Sequence, residues 1–190
     1  MPAASNNQRI WTISNFLSIL RVLLIVPVAY FVLRREPGDG IIAFFLVIVA
    51  GLTDLFDGML ARKLNQVTEL GKVIDPLADK MCVAVIGLIL TLQHRLPIWF
   101  FVGAITRDIV ILIGGIYIRR KMGLILMSNW AGKWAVAFIA FLFSVLILDI
   151  PQLDTLMYIF LAGSSILLVI SSVLYAMRFM KEMQLYRVSR

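Results

Sequence analysis

The chain has 190 residues, of which 61% are hydrophobic and only 15% charged, against roughly 45–50% apolar content in a soluble domain. A water-soluble core cannot hide that much apolar side chain, and the single cysteine, Cys82, excludes an intrachain disulfide and offers no redox pair. The net charge of +7 falls mostly between the apolar stretches, where it reads as a topology signal rather than as a nucleic-acid surface.

In chain order, Ile10, Trp11, Ile13 and Phe16 are spaced to let a short amphipathic helix lie on the membrane surface, apolar side down. Six stretches then approach the roughly 20 apolar residues that cross a bilayer: Phe16–Leu33, Ile41–Leu60, Val73–Leu92, Leu96–Ile118, Trp130–Leu148 and Thr155–Met177. The first is interrupted by Arg21 and lacks a small-residue cleavage pattern, so it is expected to be a retained span and not a signal peptide. Connections containing Gly38, Gly40, Pro97 and Pro151 are short, which favours antiparallel neighbours. The expected fold is an all-α integral membrane bundle of six transmembrane helices forming one domain over residues 1–190, with no internal repeat or long linker.

Placing the N-terminus in the cytosol collects Arg9, then Arg62, Lys63 and Lys72, then Arg119, Arg120 and Lys121, then Arg178, Lys181, Arg187 and Arg190 on the cytosolic side. Only Arg34, Arg35 and Arg95 fall on the other. This asymmetry predicts a multi-pass protein of the cytoplasmic (inner) membrane with both termini in the cytosol.

The informative stretch is DLFDGMLARKLNQVTELGKVIDPLADK, beginning at Asp54. Asp54 and Asp57 lie three apart, Asp75 and Asp79 four apart, so on helices each pair shares one face. The loop from about Lys63 to Lys72 turns the chain back, and the two pairs are expected to converge near the cytosolic surface. Carboxylates that close raise one another's pKa unless a large positive charge compensates. All-oxygen ligands select a hard cation, Mg²⁺ or Mn²⁺, over zinc. Two such ions flanking a phosphorus centre suit in-line displacement on a pyrophosphate. Gly58, Ala61 and Gly71 leave space for a ligand to approach the backbone. Arg62 can either pair with a carboxylate or meet a substrate phosphate.

Four further basic residues, Arg21, Lys80, Arg107 and Lys133, lie inside the apolar segments or at their margins. Arg107, Lys133 and Arg21 are candidates for binding an anionic acceptor, with structural pairing as the rival reading; Asp108 could neutralise Arg107 or Lys133. Lys80 is expected to tune local charge or snorkel to the surface. His94 is expected in a solvated loop, and Ser164, Ser165, Ser171 and Ser172 at close helix contacts.

The run Asp54-x2-Asp57-Gly58-x2-Ala61-Arg62-x8-Gly71-x3-Asp75-x3-Asp79 resembles, at every position, the signature of the CDP-alcohol phosphotransferase family. The resemblance implies that Asp54, Asp57 and Asp75 bind a metal pair, and that Asp79 completes the site and serves as general base. It also implies a six-helix homodimeric fold and makes Asn15, Ser18, Asp54, Gly58, Ala61, Arg62 and Gly71 candidates for contact with CDP. Asn15-x2-Ser18-x2-Arg21 is similar to the Asn-x2-Thr-x2-Arg element of bacterial members, with Ser18 in place of Thr. Arg107-Asp108 and Ser128-x3-Gly132-Lys133 resemble elements of phosphatidylglycerophosphate synthases. Those synthases usually continue Gly-Lys-x-Lys-Thr, whereas this chain runs Gly132-Lys133-Trp134-Ala135.

The implied activity is transfer of the phosphatidyl group of CDP-diacylglycerol to a small polar acceptor, best matched by sn-glycerol 3-phosphate, with release of CMP. Cardiolipin, phosphatidylinositol-phosphate and phosphatidylserine synthases are the alternatives within the family. A cation transporter using the buried acids is the alternative outside it; against it, the acids lie toward the cytosolic end and no inverted repeat is visible.

Overall fold

A computed structural model describes residues 13–63, 71–122 and 129–188, with side-chain surroundings at 20, 22–53, 80–122 and 129–186. Six long helices follow one another: α1 (Ile13–Arg34), α2 (Asp39–Lys63), α3 (Gly71–Leu92), α4 (Ile98–Met122), α5 (Trp130–Leu148) and α6 (Asp154–Val188), with one 3₁₀ turn at Pro151–Leu153 before α6. No strand occurs among the described residues. Each predicted apolar stretch overlaps one helix. Ile13 and Phe16 belong to α1 itself, while residues 10 and 11 of the expected interfacial helix lie outside the described residues.

Three helical segments are long and apolar enough to cross a membrane: Ile98–Met122, Trp130–Leu148 and Pro151–Tyr186. The described portions of the other three helices, Val22–Arg34, Asp39–Thr53 and Lys80–Leu92, are apolar but shorter. Large apolar side chains such as Val26, Phe45, Ile113 and Val169 are exposed, an arrangement suited to lipid rather than water. This is a membrane protein.

Two helix boundaries differ from the hydropathy pattern. Helix α4 starts at Ile98 rather than Leu96, because Pro97 biases Leu96 towards extended backbone and the Pro97 carbonyl accepts from the N–H groups of Phe100 and Phe101. Helix α6 continues past Met177 to Val188; the added stretch is too polar for lipid but rich in good helix formers such as Met, Lys, Glu and Gln.

The chain divides into two compact units, residues 1–92 and 93–190. In the first, α1 packs against both α2 and α3, and Val28, Val32, Ala43, Ile86 and Leu90 are buried. A short turn reverses the chain between α1 and α2. There Arg34 holds the buried Asp39 with two hydrogen bonds, Nε to Oδ2 at 2.9 Å and Nη2 to Oδ1 at 2.8 Å, and the Glu36 N–H donates to Oδ2 at 2.9 Å. Arg34 also lies over the Tyr30 and Phe31 rings.

The Arg34 hydrogen bonds, helped by the Glu36 N–H, hold the Asp39 carboxyl below its ordinary pKa. A depressed carboxylate adds stability above its unfolded value, near 3.9, and loses it as pH falls through the lower folded value. Asp39→Asn is therefore expected to lower the thermal midpoint by a few degrees at pH 7. The gap to wild type should close below about pH 4, read by tryptophan fluorescence in detergent.

In the second unit, α6 packs along α5 and also contacts α4. Ala131, Ala135, Leu142, Leu146 and Ile147 line the buried side of α5. The edge of the Phe138 ring approaches Gly163, where an added Cβ would come to 2.5 Å from it, and Phe141 stacks on Phe160 with centroids 5.3 Å apart. Small residues let these helices approach closely. Arg95, ahead of α4, pairs with Asp149 at the end of α5 at 2.6 Å, so these two ends meet and α4 and α5 run in opposite directions.

Arg35, His94 and Asp149, at or just past the ends of α1, α3 and α5, all adopt left-handed backbone (φ 56°, 59° and 55°). The Arg35 and Asp149 N–H groups donate to the carbonyls of Phe31 and Val145, each at 3.3 Å, closing the helix ends without glycine.

Candidate functional site

The acid motif is carried by two consecutive helices. Asp54 and Asp57 lie in the C-terminal part of α2, and Asp75 and Asp79 in the N-terminal part of α3. With helical backbone at both places, three- and four-residue spacings put each pair on one face of its helix. The short turn between α1 and α2 makes them antiparallel, so Asn15, Ser18 and Arg21, early in α1, lie at the same end of this unit as Asp54–Arg62. The side chains of Asn15, Ser18, Arg21, Asp54, Asp57, Ala61, Arg62, Asp75 and Asp79 lie outside the described residues, as do the surroundings of Gly58 and Gly71 and the connection 64–70. Among the described residues no group of three His, Cys, Asp or Glu could hold a metal ion. A donor set of four carboxylates, without imidazole or thiolate, fits a hard divalent cation.

The second unit holds a polar node that joins three helices. Arg107, on α4, donates from Nη1 to Asp108 Oδ1 at 2.7 Å and from Nη2 to Ser171 Oγ, on α6, at 2.5 Å. Its Nε is buried and makes no hydrogen bond. Asn129 caps α5: its Oδ1 accepts from the Gly132 N–H at 2.6 Å and from Ser171 Oγ at 3.0 Å, while Nδ2 donates to the Ser171 carbonyl at 3.0 Å. Asn129 and Ser171 are 6% and 0% exposed, so hydrogen bonds are lost at a cost here. A Cβ at Gly132 would meet Arg107 Nη2 at 2.9 Å and both Asn129 Oδ1 and Ser171 Oγ at 3.0 Å. Any larger residue here would displace these three groups from their present hydrogen-bond positions.

Arg107 does pair with Asp108, as the structural reading of the sequence allowed, yet it also reaches α6. Lys133 is exposed, and Ser128 lies outside the described residues. Asn129 escaped the sequence reading, although an Asn directly before an apolar helical run is an N-cap signal. Of the four serines, Ser171 links helices; Ser164, Ser165 and Ser172 donate to carbonyls of their own helix. His94 is exposed in the turn after α3, as expected, and Lys80 is exposed on α3.

Known proteins place this pattern. The model of the CDP-alcohol phosphatidyltransferase family matches residues 11–177. A "Probable phosphatidylglycerophosphate synthase" of Mycobacterium tuberculosis is 30% identical over 187 residues, 94% of this chain and 86% of that protein. The CDP-diacylglycerol--glycerol-3-phosphate 3-phosphatidyltransferase of Aquifex aeolicus is 40% identical over 113 residues, 57% of this chain and 61% of its own length. A cardiolipin synthase (CMP-forming) of Rattus norvegicus is 36% identical over 120 residues, 63% of this chain but 39% of the rat protein. The chain thus matches less than two thirds of the Aquifex and rat proteins. The family match takes in the acid motif of α2 and α3 together with the polar node of α4, α5 and α6, and on that extent the chain belongs to the CDP-alcohol phosphatidyltransferase family.

Proposed function

We propose that this protein transfers the phosphatidyl group of CDP-diacylglycerol to sn-glycerol 3-phosphate, giving phosphatidylglycerophosphate and CMP. The observation that carries the reading is the motif from Asp54 to Asp79, set on helical backbone that keeps each pair of acids on one face. Similarity to a probable phosphatidylglycerophosphate synthase along 94% of the chain supports the choice of acceptor. The family match from 11 to 177 runs through both compact units, which supports one functional domain of six spans. The basic asymmetry supports a site facing the cytosol from the inner membrane, and the family resemblance supports a homodimer.

In this mechanism Asp54, Asp57, Asp75 and Asp79 would hold two Mg²⁺ or Mn²⁺ ions, which would supply compensating charge for the pyrophosphate and the developing oxyanion. Asn15, Ser18, Arg62 and the space at Gly58, Ala61 and Gly71 take the CDP group. Asp79 accepts the proton of the acceptor hydroxyl. That oxygen forms a bond to the lipid-side phosphorus as the bond from this phosphorus to the CMP oxygen breaks. Arg107, Lys133 and Arg21 bind the acceptor phosphate, where fixed positive charge holds an anion in reacting orientation.

A cardiolipin synthase is the second reading, favoured by the rat relative and by Gly132-Lys133-Trp134-Ala135 in place of Gly-Lys-x-Lys-Thr. The two are separated by supplying purified protein in lipid nanodiscs with CDP-diacylglycerol and, in parallel, glycerol 3-phosphate, phosphatidylglycerol, inositol phosphate or serine. CMP release with glycerol 3-phosphate alone is the expected result. Release with phosphatidylglycerol and not with glycerol 3-phosphate would reverse the order of the two readings.

A further inference from the structure

The node around Arg107 is polarised in one direction. Asn129 Oδ1 accepts from both the Gly132 N–H and Ser171 Oγ, while Nδ2 points its proton at the Ser171 carbonyl; this pattern fixes the amide's orientation. The one hydroxyl proton of Ser171 is thereby committed to Asn129, so Ser171 Oγ can only accept from Arg107. Asp108 holds the other terminal nitrogen. The guanidinium is gripped on two sides by groups from its own helix and from α6, with the α5 cap standing behind Ser171.

One donor of the guanidinium stays outside this grip. Buried donors are expected to be paired, whereas the Nε of this part-buried arginine is itself buried without a hydrogen bond. Glycine at 132 leaves room for the node, since a Cβ there would press on the guanidinium, the amide and the hydroxyl and push them aside. The chain fixes Arg107's terminal nitrogens while leaving another donor unmet.

We infer that Asn129 and Ser171 are positioning residues, which hold the Arg107 guanidinium in the orientation that receives the oxyanion of the acceptor. The inference rests on the reading that Arg107 binds an anionic acceptor. A bidentate or forked arginine contact depends on the plane of the guanidinium as well as on its charge, so loosening that plane weakens acceptor binding while leaving the charge in place.

The test is steady-state kinetics of full-length protein in nanodiscs, with CDP-diacylglycerol and glycerol 3-phosphate varied separately, on Ser171→Ala, Ser171→Cys, Arg107→Gln and the double variant Arg107→Gln/Ser171→Ala. Ser171→Ala is expected to raise the KM for glycerol 3-phosphate about tenfold, the scale of one hydrogen bond to a charged group. Its kcat and its KM for CDP-diacylglycerol should stay within about twofold. Ser171→Cys keeps the volume with a weaker acceptor and should fall between wild type and alanine. In the Arg107→Gln background, Ser171→Ala should add nothing further, as two residues acting as one unit do.

If Arg107→Gln raises the acceptor KM but Ser171→Ala and Ser171→Cys do not, the positioning role is overturned and the acceptor reading of Arg107 stands. If Arg107→Gln leaves the acceptor KM unchanged, both fall. Multiplying effects in the double variant, or a loss of kcat that follows the loss of thermal stability, would mean that Ser171 only holds the helices together. Should the alanine variant not fold, the cysteine variant alone decides by the same criteria.

Discussion

Asp79→Asn is expected to lower CMP release from CDP-diacylglycerol by about 10²–10⁴-fold, the usual contribution of a positioned general base. Asparagine keeps the size and shape of the side chain but cannot take a proton from the acceptor hydroxyl. It also removes one negative charge from a group of four acids, which relieves repulsion rather than adding strain. The variant should therefore insert and purify as wild type does. The measurement is labelled CMP released in nanodiscs, normalised to folded protein by size-exclusion elution. Full turnover in Asp79→Asn would remove Asp79 from the reaction and with it the proposed use of the motif.

Chelation is expected to have an effect of similar size. If the four carboxylates hold divalent ions as proposed, EDTA should bring turnover to background and added Mg²⁺ or Mn²⁺ should restore it. Asp57→Asn should then need more metal for half-maximal activity, by at least the 10–100-fold that follows loss of an outer-shell partner at metal sites generally. It should also show a smaller rise in thermal midpoint on adding Mg²⁺, since a ligand stabilises only in proportion to its affinity for the folded state. Activity that survives exhaustive chelation and is indifferent to Asp57→Asn would rule out a divalent ion on these acids.

The fold was legible where apolar length decides structure. Each of the six hydropathic stretches overlaps a helix, and three of these helices are long and apolar enough to cross a membrane, where backbone groups must be paired within the segment. The boundaries were less legible, since they answer to local chemistry that hydropathy ignores. Pro97 delays α4 to Ile98, and polar helix formers carry α6 beyond Met177. The acid motif was visible because its spacing is local, three and four residues along one helix. The Arg107 node was only half visible: Arg107 and Gly132 stand out in sequence, but Asn129 and Ser171 lie 42 residues apart. Nothing in the chain order announces that their side chains meet. The N-cap position of Asn129 was the one local clue, and it points to the start of α5 without naming a partner.

The turns that Arg34–Asp39 and Arg95–Asp149 fasten have a mechanical side. Each ties two helix ends within its own unit, as a knuckle joins two fingers. Asp54 and Asp57 lie 15 and 18 positions along α2 from Asp39, roughly 22–27 Å from the knuckle at about 1.5 Å per residue. A tilt of a few degrees at the fastened turn is magnified with that distance, so the Arg34–Asp39 clamp governs how α1 and α2 stand relative to each other at the end that carries the acid motif.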